Sequence, residues 1–416
     1  MSIVYVIAKD GTPLMPTIPV IARLLLKAGK AKVKRRTPFT IKLLYETTKY
    51  TQPLTLGLDT GSTTIATAVV DEEDEIVYVS EIRLRTDIKD KMDRRRMYRR
   101  TRRSRKLRYR PARFLNRKNS IKKGRYPPTI RSKIMAHIKE LSFVFKLLPI
   151  TKIRIESGSF DPHLLKDPSL AYKKWNYSKG PLYQYSNFKE YIKVRDKYTC
   201  QNCKGKSKDK HLEVHHIIYK SNGGNDDLKN LILLCKTCHN KVHSNIITLS
   251  TNVKRAIYKD ATHMNIILNV VVAYVKRLFP NTEETYGYIT NTDRQNLGLD
   301  KEHYLDAIVI ATEGRKFKTK VSKVLYKKCI ADGRYQCTWG IRSEKKYPKG
   351  KIGGFNTYDK IKYRGKEYFI KGRISTGYFK ICNILGNTIN IKPMAKPSTS
   401  IRMSAKKSWV MTYINE

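Results

Sequence analysis

A chain of 416 residues with 40% apolar side chains is long enough for roughly two to four packed domains. Its 85 Lys+Arg against 35 Asp+Glu leave a formal net charge of +50, far beyond what an ordinary cytosolic enzyme needs, and a field of that size attracts polyanions and repels other copies of the chain. A membrane role is not expected, because the longest apolar run, near residues 264–275, is too short to span a bilayer and no basic amphipathic helix of membrane-binding character stands out. The start, Met1-Ser2-Ile3-Val4-Tyr5, has neither the charged beginning nor the small-residue cleavage site of a signal peptide. The expected location is therefore the cytoplasm, where thiols stay reduced and paired cysteines point to metal rather than to disulfides.

In chain order, residues 1–50 mix short apolar runs with turns and one helix candidate at 18–28, with Pro19 in its first turn and Gly29 at its end. Residues 54–81 give three strand-like runs separated by tight turns, a meander. Residues 92–118 change character: 14 of the 27 are Lys or Arg and only Asp93 is acidic. A helical stretch at 127–148 precedes a short buried strand at 153–156, and a Cys/His-rich unit occupies 188–245. Helix returns at 252–278, a strand is expected at 286–289 and a helix at 302–313, and beyond about 330 the chain turns β-rich. No repeat of solenoid period occurs. The pattern is one α/β domain interrupted twice, followed by a small β domain.

Cys200-x2-Cys203 and Cys235-x2-Cys238 are two thiolate pairs whose spacing lets all four sulfurs reach one tetrahedral Zn²⁺. Cys329, Cys337 and Cys382 lack such spacing and read as core or incidental thiols. Framed by the two pairs, or just after them, stand Val214-His215-His216-Ile217-Ile218, Gly223-Gly224, Asn230-Leu231, His239 and His243. This segment, about 200–243, resembles the HNH family of ββα-metal nucleases. The resemblance implies His216 as the general base, His215 and His239 as ligands of a single Mg²⁺ with His243 assisting, and Asn230 orienting the base or bracing the loop on the return strand. The chemistry suits these residues: a neutral imidazole accepts a proton near pH 7, and a hard cation stabilises a leaving oxygen. RNA-guided relatives often carry Asp where His215 stands, and the softer imidazole shifts metal preference toward Mn²⁺.

Leu56-Gly57-Leu58-Asp59-Thr60-Gly61-Ser62 puts an acid at the end of a buried strand before a glycine turn, a pattern shared with the phosphate loops of actin-like ATPases. Glu156 ends a second short strand. His303 and Asp306, three apart, share one helix face. Three carboxylates and a histidine can hold two divalent ions about 4 Å apart, the arrangement for phosphodiester hydrolysis. The set resembles the RuvC nuclease family on an RNase H-like fold, which implies Asp59, Glu156, His303 and Asp306 as a two-Mg²⁺ site.

Arg94, Arg95, Arg96, Arg99, Arg100, Arg102, Arg103, Arg105, Lys106 and Arg108 read as one helix with cations on every face, which needs phosphate on several sides. Placed after the first acid, it resembles the arginine-rich bridge helix of RNA-guided nucleases. The order of bridge helix, Glu, HNH unit, His and Asp is similar to that of CRISPR type II effectors and of their smaller transposon-encoded relatives, the IscB family. Pro13-Leu14-Met15-Pro16 resembles the PLMP motif of the first IscB domain.

The resemblance implies an α/β multidomain protein: an RNase H-like RuvC domain split in sequence, an inserted ββα-metal HNH domain, an Arg-rich bridge helix and a C-terminal β-rich domain. The expected boundaries are 1–52 for the PLMP domain, 53–90 for RuvC segment I, 91–120 for the bridge helix and 121–160 for RuvC segment II. They continue with 161–250 for linker and HNH, 251–325 for RuvC segment III, and 326–416 for a domain reading the motif beside the target. The implied activity is RNA-guided double-strand cleavage of DNA by a monomeric ribonucleoprotein in a prokaryotic cytoplasm, at the nucleoid. Its cofactors are an omega RNA guide, Mg²⁺ or Mn²⁺, and Zn²⁺. HNH would cut the strand paired to the guide and RuvC the displaced one. Other readings are a protein-guided HNH endonuclease, a non-catalytic RNA-binding transposon accessory protein, and an actin-like ATPase. The Arg helix argues against the first, the complete acid and histidine sets against the second, and the HNH unit against the third.

Overall fold

The computed structural model describes residues 3–104, 125–158, 172, 182–222, 224, 226–249, 259–321, 323–331, 353–374 and 376–414. They form two compact units, Met1–Ser159 with His263–Glu416, and Phe160–Thr262. The first begins with β1 (Val4–Ile7), β2 (Pro13–Thr17), α1 (Pro19–Lys27), β3 (Ala31–Arg36) and β4 (Phe39–Leu43). These strands make a sheet of order β2-β1-β4-β3. Pro19 opens α1, where a missing N–H costs nothing, and Gly29, at φ +68°, ends it.

The expected meander follows as β5 (Thr55–Asp59), β6 (Thr64–Val70) and β7 (Glu75–Arg83), paired antiparallel in sequence. Next come α2 (Ile88–Ser104), α3 (Pro128–Phe145) and β8 (Lys152–Glu156), the last parallel to β5. On α2, Arg94, Arg95, Arg96, Arg99 and Arg100 are exposed. The side chains of Arg102 and Arg103, and the whole of Arg105, Lys106 and Arg108, lie outside the described residues, as does Cys337.

The second unit contains α4 (Phe188–Arg195), β9 (Leu212–His216), β10 (Leu231–Cys235) and α5 (Lys236–His243). β9 and β10 pair antiparallel and α5 follows directly, a ββα arrangement. Alternation along β10 divides its side chains between two clusters: Leu231 and Leu233 pack on Ile192 of α4, and Leu234 packs with Cys200, Cys238 and Val242.

The chain continues through α6 (Lys259–Leu278), β11 (Glu283–Thr285), α7 (Gly287–Asn296), α8 (His303–Thr312), β12 (Lys318–Thr319) and β13 (Val324–Cys329). The tail forms β14 (Lys360–Tyr363), β15 (Lys366–Arg373), β16 (Phe379–Cys382), β17 (Thr388–Ile389), β18 (Ile401–Ser404) and β19 (Trp409–Ile414). The main sheet runs β11-β8-β5-β6-β7-β13-β19, with β12 also pairing β7, and a separate sheet runs β17-β16-β15-β14-β18.

Side chains alternate across the main sheet and give it two different faces. Leu56, Leu58, Ile65 and Val69 face α3 and α6 in a large apolar core with Leu141, Val144, Ile267 and Val271. Gly57, Ala66 and Ala68 lie on the other face, where α8 packs with Ala307 and Ala311. The approach is close enough that a Cβ on Gly57 would lie 2.3 Å from the Ala307 carbonyl oxygen. Small residues on both sides therefore set how near α8 comes to the end of β5. The larger core also encloses an ion pair: Lys327 Nζ lies 2.7 Å from both oxygens of Glu140, and neither side chain is exposed.

One expectation is corrected. Residues 286–289 are not a strand: β11 ends at Thr285 and α7 begins at Gly287. The aromatic and apolar run there reads as β, but the backbone turns into a helix against Glu156, which would meet a Cβ on Gly287 at 3.0 Å. β19 pairs antiparallel with β13 (Val324–Cys329) at the main sheet's edge. The tail's middle folds as its own sheet while both its ends belong to the larger one.

Candidate active site

The first constellation sits where β5 and β8 end together and α8 begins. Asp59, the last residue of β5, is buried. His303 opens α8 and brings Nδ1 to 2.8 Å from Asp59 Oδ2. That hydrogen bond, opposed by burial, holds the imidazole's pKa above its usual value. Asp306, one turn on, faces the same way, and ligand atoms of Asp59, His303 and Asp306 all lie within 4.8 Å of one another. Its Oδ1 lies 2.9 Å from Nε of buried Arg294 on α7, an ion-pair contact without hydrogen-bond geometry, while the two terminal guanidinium nitrogens donate to Asn291 Oδ1 (2.6 Å) and the Leu299 carbonyl (3.2 Å).

Glu156 ends β8, parallel to β5, and pairs with Thr285 of β11. It stands outside the tighter cluster of three. Its backbone carbonyl accepts from Thr60 Oγ1 at 3.0 Å. Burial first, then the charge of Asp59, raise its carboxyl pKa to about 7, with a Thr290 hydrogen bond opposing them. Burial and Asp59 raise Asp306 as well. Such crowded carboxylates resist ionisation until a cation arrives, so the donor set fits divalent metal.

Glu81 was not singled out from the sequence. Register places it in one row with the site: Asp59 pairs with Ala66, and Ala66 with Glu81. Burial raises its carboxyl pKa, Glu302 and Asp59 add to the rise, and His303 opposes it. Only the strand pairing reveals this acid, since its separation from Asp59 along the chain carries no signal. Arg294 was equally hidden.

The second constellation belongs to the ββα element. His215, near the end of β9, is buried, and its Nε2 finds no hydrogen-bond partner among the described residues. His239 lies in the first turn of α5 and His243 is its last residue, so the two share a face one turn apart. The three imidazoles bring nitrogens within 4.8 Å of one another. Burial, then the neighbouring His239 and His243, push the His215 pKa down to about 4, so it stays neutral and able to ligate. An orphaned buried nitrogen facing two more imidazoles fits a metal ion, and three such donors suit transition ions better than Mg²⁺. His239 Nδ1 is held by Glu213 Oε2 at 2.9 Å, which leaves its Nε2 toward the cluster.

His216 points elsewhere, with Nε2 2.8 Å from Asp226 Oδ1. Asn230 ends the turn before β10 rather than lying on the return strand, and it is buried. Its Oδ1 accepts from Ile218 N (2.8 Å) and its Nδ2 donates to Ile218 O (3.1 Å), which clamps the loop behind the paired histidines. Glu213 and Asp226 are the residues here that sequence reasoning missed.

The four cysteines Cys200, Cys203, Cys235 and Cys238 also gather within 4.8 Å. Cys203 Sγ and Cys235 Sγ are 3.8 Å apart, about the edge of a tetrahedron with Zn–S bonds of roughly 2.3 Å. Hydrogen bonds from Ser207 lower the Cys203 thiol to about 6, while burial raises Cys238 to about 12. A Zn²⁺ among them would favour thiolate at all four, so the group fits a structural zinc. Burial likewise raises Cys329 to about 11 and pushes Cys382 up, as for inert thiols.

Known protein families match two stretches of the chain, and the ββα element lies in one of them. Residues 4–180 match the RRXRR protein family and residues 200–245 the HNH endonuclease family. The type IV methyl-directed restriction enzyme EcoKMcrA of Escherichia coli K12 is 39% identical over 62 residues, 13% of this chain and 22% of that protein. Anaredoxin of Nostoc sp. is 34% identical over 62 residues, 15% of this chain and 78% of that one. A crystal structure of Streptococcus thermophilus Cas9 in complex with the AGAA PAM is similar at 15% identity and a TM-score of 0.33, over 59% of this chain and 32% of that chain. The chain thus spans about a fifth of the restriction enzyme and a third of Cas9. The chain carries an HNH endonuclease domain at residues 200–245. The two family matches cover separate stretches of the chain, RRXRR before the HNH segment. No helix among the described residues is long and apolar enough to cross a membrane.

Proposed function

We propose that this protein is an RNA-guided DNA endonuclease that makes a double-strand break with two separate centres. The observation that carries the reading is the presence, in one chain of net charge +50, of two metal-competent clusters: Asp59, His303 and Asp306, and His215, His239 and His243. One nuclease centre suffices for a nick, and two suit the two strands of a duplex. An omega RNA bound along α2 and the N-terminal module would supply sequence specificity by pairing, with the β-rich tail reading the flanking motif.

At the ββα centre His216 takes the proton from the attacking water, its ring held by Asp226. His215, His239 and His243 would hold a divalent cation, which would supply positive charge beside the scissile phosphate and leaving oxygen. Asn230 keeps the base and the ligand loop in register. At the other centre Asp59, Glu156, His303 and Asp306 would hold a pair of divalent ions, with Arg294 fixing Asp306 and Thr290 fixing Glu156. The HNH centre would cut the guide-paired strand and the carboxylate centre the displaced strand, in a monomeric ribonucleoprotein.

The test is cleavage of a strand-labelled plasmid by protein purified with its co-purifying RNA. His216→Ala should leave nicking of the displaced strand alone, and Asp59→Ala nicking of the paired strand alone. Either variant cutting both strands would refute the division of labour. The local similarity to a restriction enzyme favours a second reading, a protein-guided HNH endonuclease. Metal-dependent cutting without RNA would establish that one instead.

A further inference from the structure

Tyr286 and Tyr288, on either side of the Gly287 that approaches Glu156, present their rings to solvent. They are 49% and 72% exposed, nearly parallel at 8°, with centroids 6.1 Å apart. No apolar core among the described residues includes either ring. Two large exposed aromatic faces held parallel are costly to leave in water, and stacking on each other covers only one face of each. Their address gives them a use. Tyr286 directly follows Thr285, the register partner of Glu156. Gly287, between the two rings, passes so close that a Cβ there would lie 3.0 Å from Glu156 Oε1. Thr290, one turn further along α7, hydrogen-bonds the same carboxylate. The segment that carries the rings is therefore the one that walls in Glu156.

We infer that Tyr286 and Tyr288 form a stacking platform for an unpaired base of the strand cut at the carboxylate centre, one or two nucleotides from the scissile phosphate. Every base has a π-face, so such a platform tolerates any sequence. In a duplex those faces are already stacked on neighbouring pairs. The platform thus selects single-stranded DNA, and a strand anchored there lays its backbone across Asp59, Glu156 and Asp306. In the guided reading, on which this inference rests, the only unpaired DNA is the displaced strand. The tyrosines act on binding and register, and no proton transfer is assigned to them.

The experiment uses the full ribonucleoprotein and a target whose displaced strand carries an abasic site at successive positions around the cut. For the wild type, an abasic site at one or two positions should slow cleavage of that strand about tenfold or more, the size of one lost stacking contact. Tyr286→Ala/Tyr288→Ala should slow cleavage of the intact strand by a similar factor, chiefly through KM, and should lose sensitivity to the abasic site. The Phe pair should restore both, since the ring and not the hydroxyl stacks. Cleavage of the guide-paired strand, measured in the same reaction, should not change. An Ala pair that cuts the displaced strand at the wild-type rate, or that retains the abasic sensitivity, would overturn the platform. Wild-type cleavage of the displaced strand that does not depend on Asp59 would instead overturn the assignment of the centre itself.

Discussion

Asp59 Oδ2 and His303 Nδ1 stand 2.8 Å apart, although 244 positions separate the residues in the chain. Asp59 is fixed by its strand, so the distance depends on how closely α8 settles on the sheet. The tightest point of that contact is Gly57, where a Cβ would come within 2.3 Å of the Ala307 carbonyl oxygen and 2.8 Å of the Ala311 Cβ. Gly57→Ala should therefore lift α8 and carry His303 and Asp306 away from Asp59. Overpacking of this kind costs about 1–3 kcal/mol of stability. A misplacement of about 1 Å in a catalytic array costs roughly a hundredfold in rate. Cleavage of the displaced strand should fall by about that factor, with a melting temperature still well above the assay temperature and the paired strand still cut. Unimpaired cleavage of the displaced strand would mean that α8 packing does not set the site.

The four-cysteine group should be structural. Closed Zn²⁺ sites contribute folding energy outright, and their ligands are lost together. Cys235 immediately precedes α5 and Cys238 lies inside it, so the ion would also tie down the helix that carries His239 and His243. Cys235→Ser should lower bound zinc from about one ion per chain to near zero. It should also raise hydrogen exchange across β9, β10 and α5 while leaving β5 to β8 protected. Elemental analysis with residue-resolved exchange measures both. Full zinc in the variant would exclude Cys235 as a ligand.

The Glu140–Lys327 pair is the main buried charge of the larger core. Glu140 also accepts from Thr67 Oγ1 (3.1 Å), Tyr78 Oη (3.0 Å) and Ser80 Oγ (3.0 Å), which binds α3 to β6, β7 and β13 at one point. Removing one member strands the other charge in apolar surroundings, at a cost of about 3–5 kcal/mol. Lys327→Met should show that loss in urea denaturation. Lys327→Met/Glu140→Gln should recover most of it, because Gln still offers the hydroxyls an acceptor and no charge is left alone. A double variant as unstable as the single would show that the cost is steric rather than electrostatic.

The local elements were legible in the sequence because period and punctuation declare them. Thr55–Asp59 through Glu75–Arg83 alternate and turn as expected, and the Cys-x2-Cys spacing delivers a clustered set of four sulfurs. The residues missed are those that matter only through pairing. Glu81 reaches the site across Ala66, Arg294 reaches Asp306 from a different helix, and Asp226 meets His216 across a loop. Sequence separation carries none of this, since strand register and helix docking decide it. The error at 286–289 has the same origin. Tyr286-Gly287-Tyr288-Ile289 has strand composition, but contact with Glu156 makes Gly287 a helix start.

His137 gives a pH dependence that lies away from both metal-competent clusters. It is fully buried on α3, with Nδ1 2.9 Å from the Lys133 carbonyl oxygen. Burial pushes its pKa down to about 4 from an ordinary value of 6.5, so the folded protein keeps it neutral where the unfolded chain protonates it. Between those two values the unfolded state binds more protons, so stability falls as the pH drops from 6.5 toward 4. The slope from this one residue reaches at most about 1.4 kcal/mol per pH unit, and the whole window amounts to about 3 kcal/mol. His137→Leu removes the titration while keeping an apolar side chain of similar volume. Urea denaturation of the first unit's core between pH 7.5 and 4.5 should show a shallower loss of stability in the variant, with the difference concentrated below about pH 6.5. Parallel curves for the two proteins would assign the acid sensitivity to other groups.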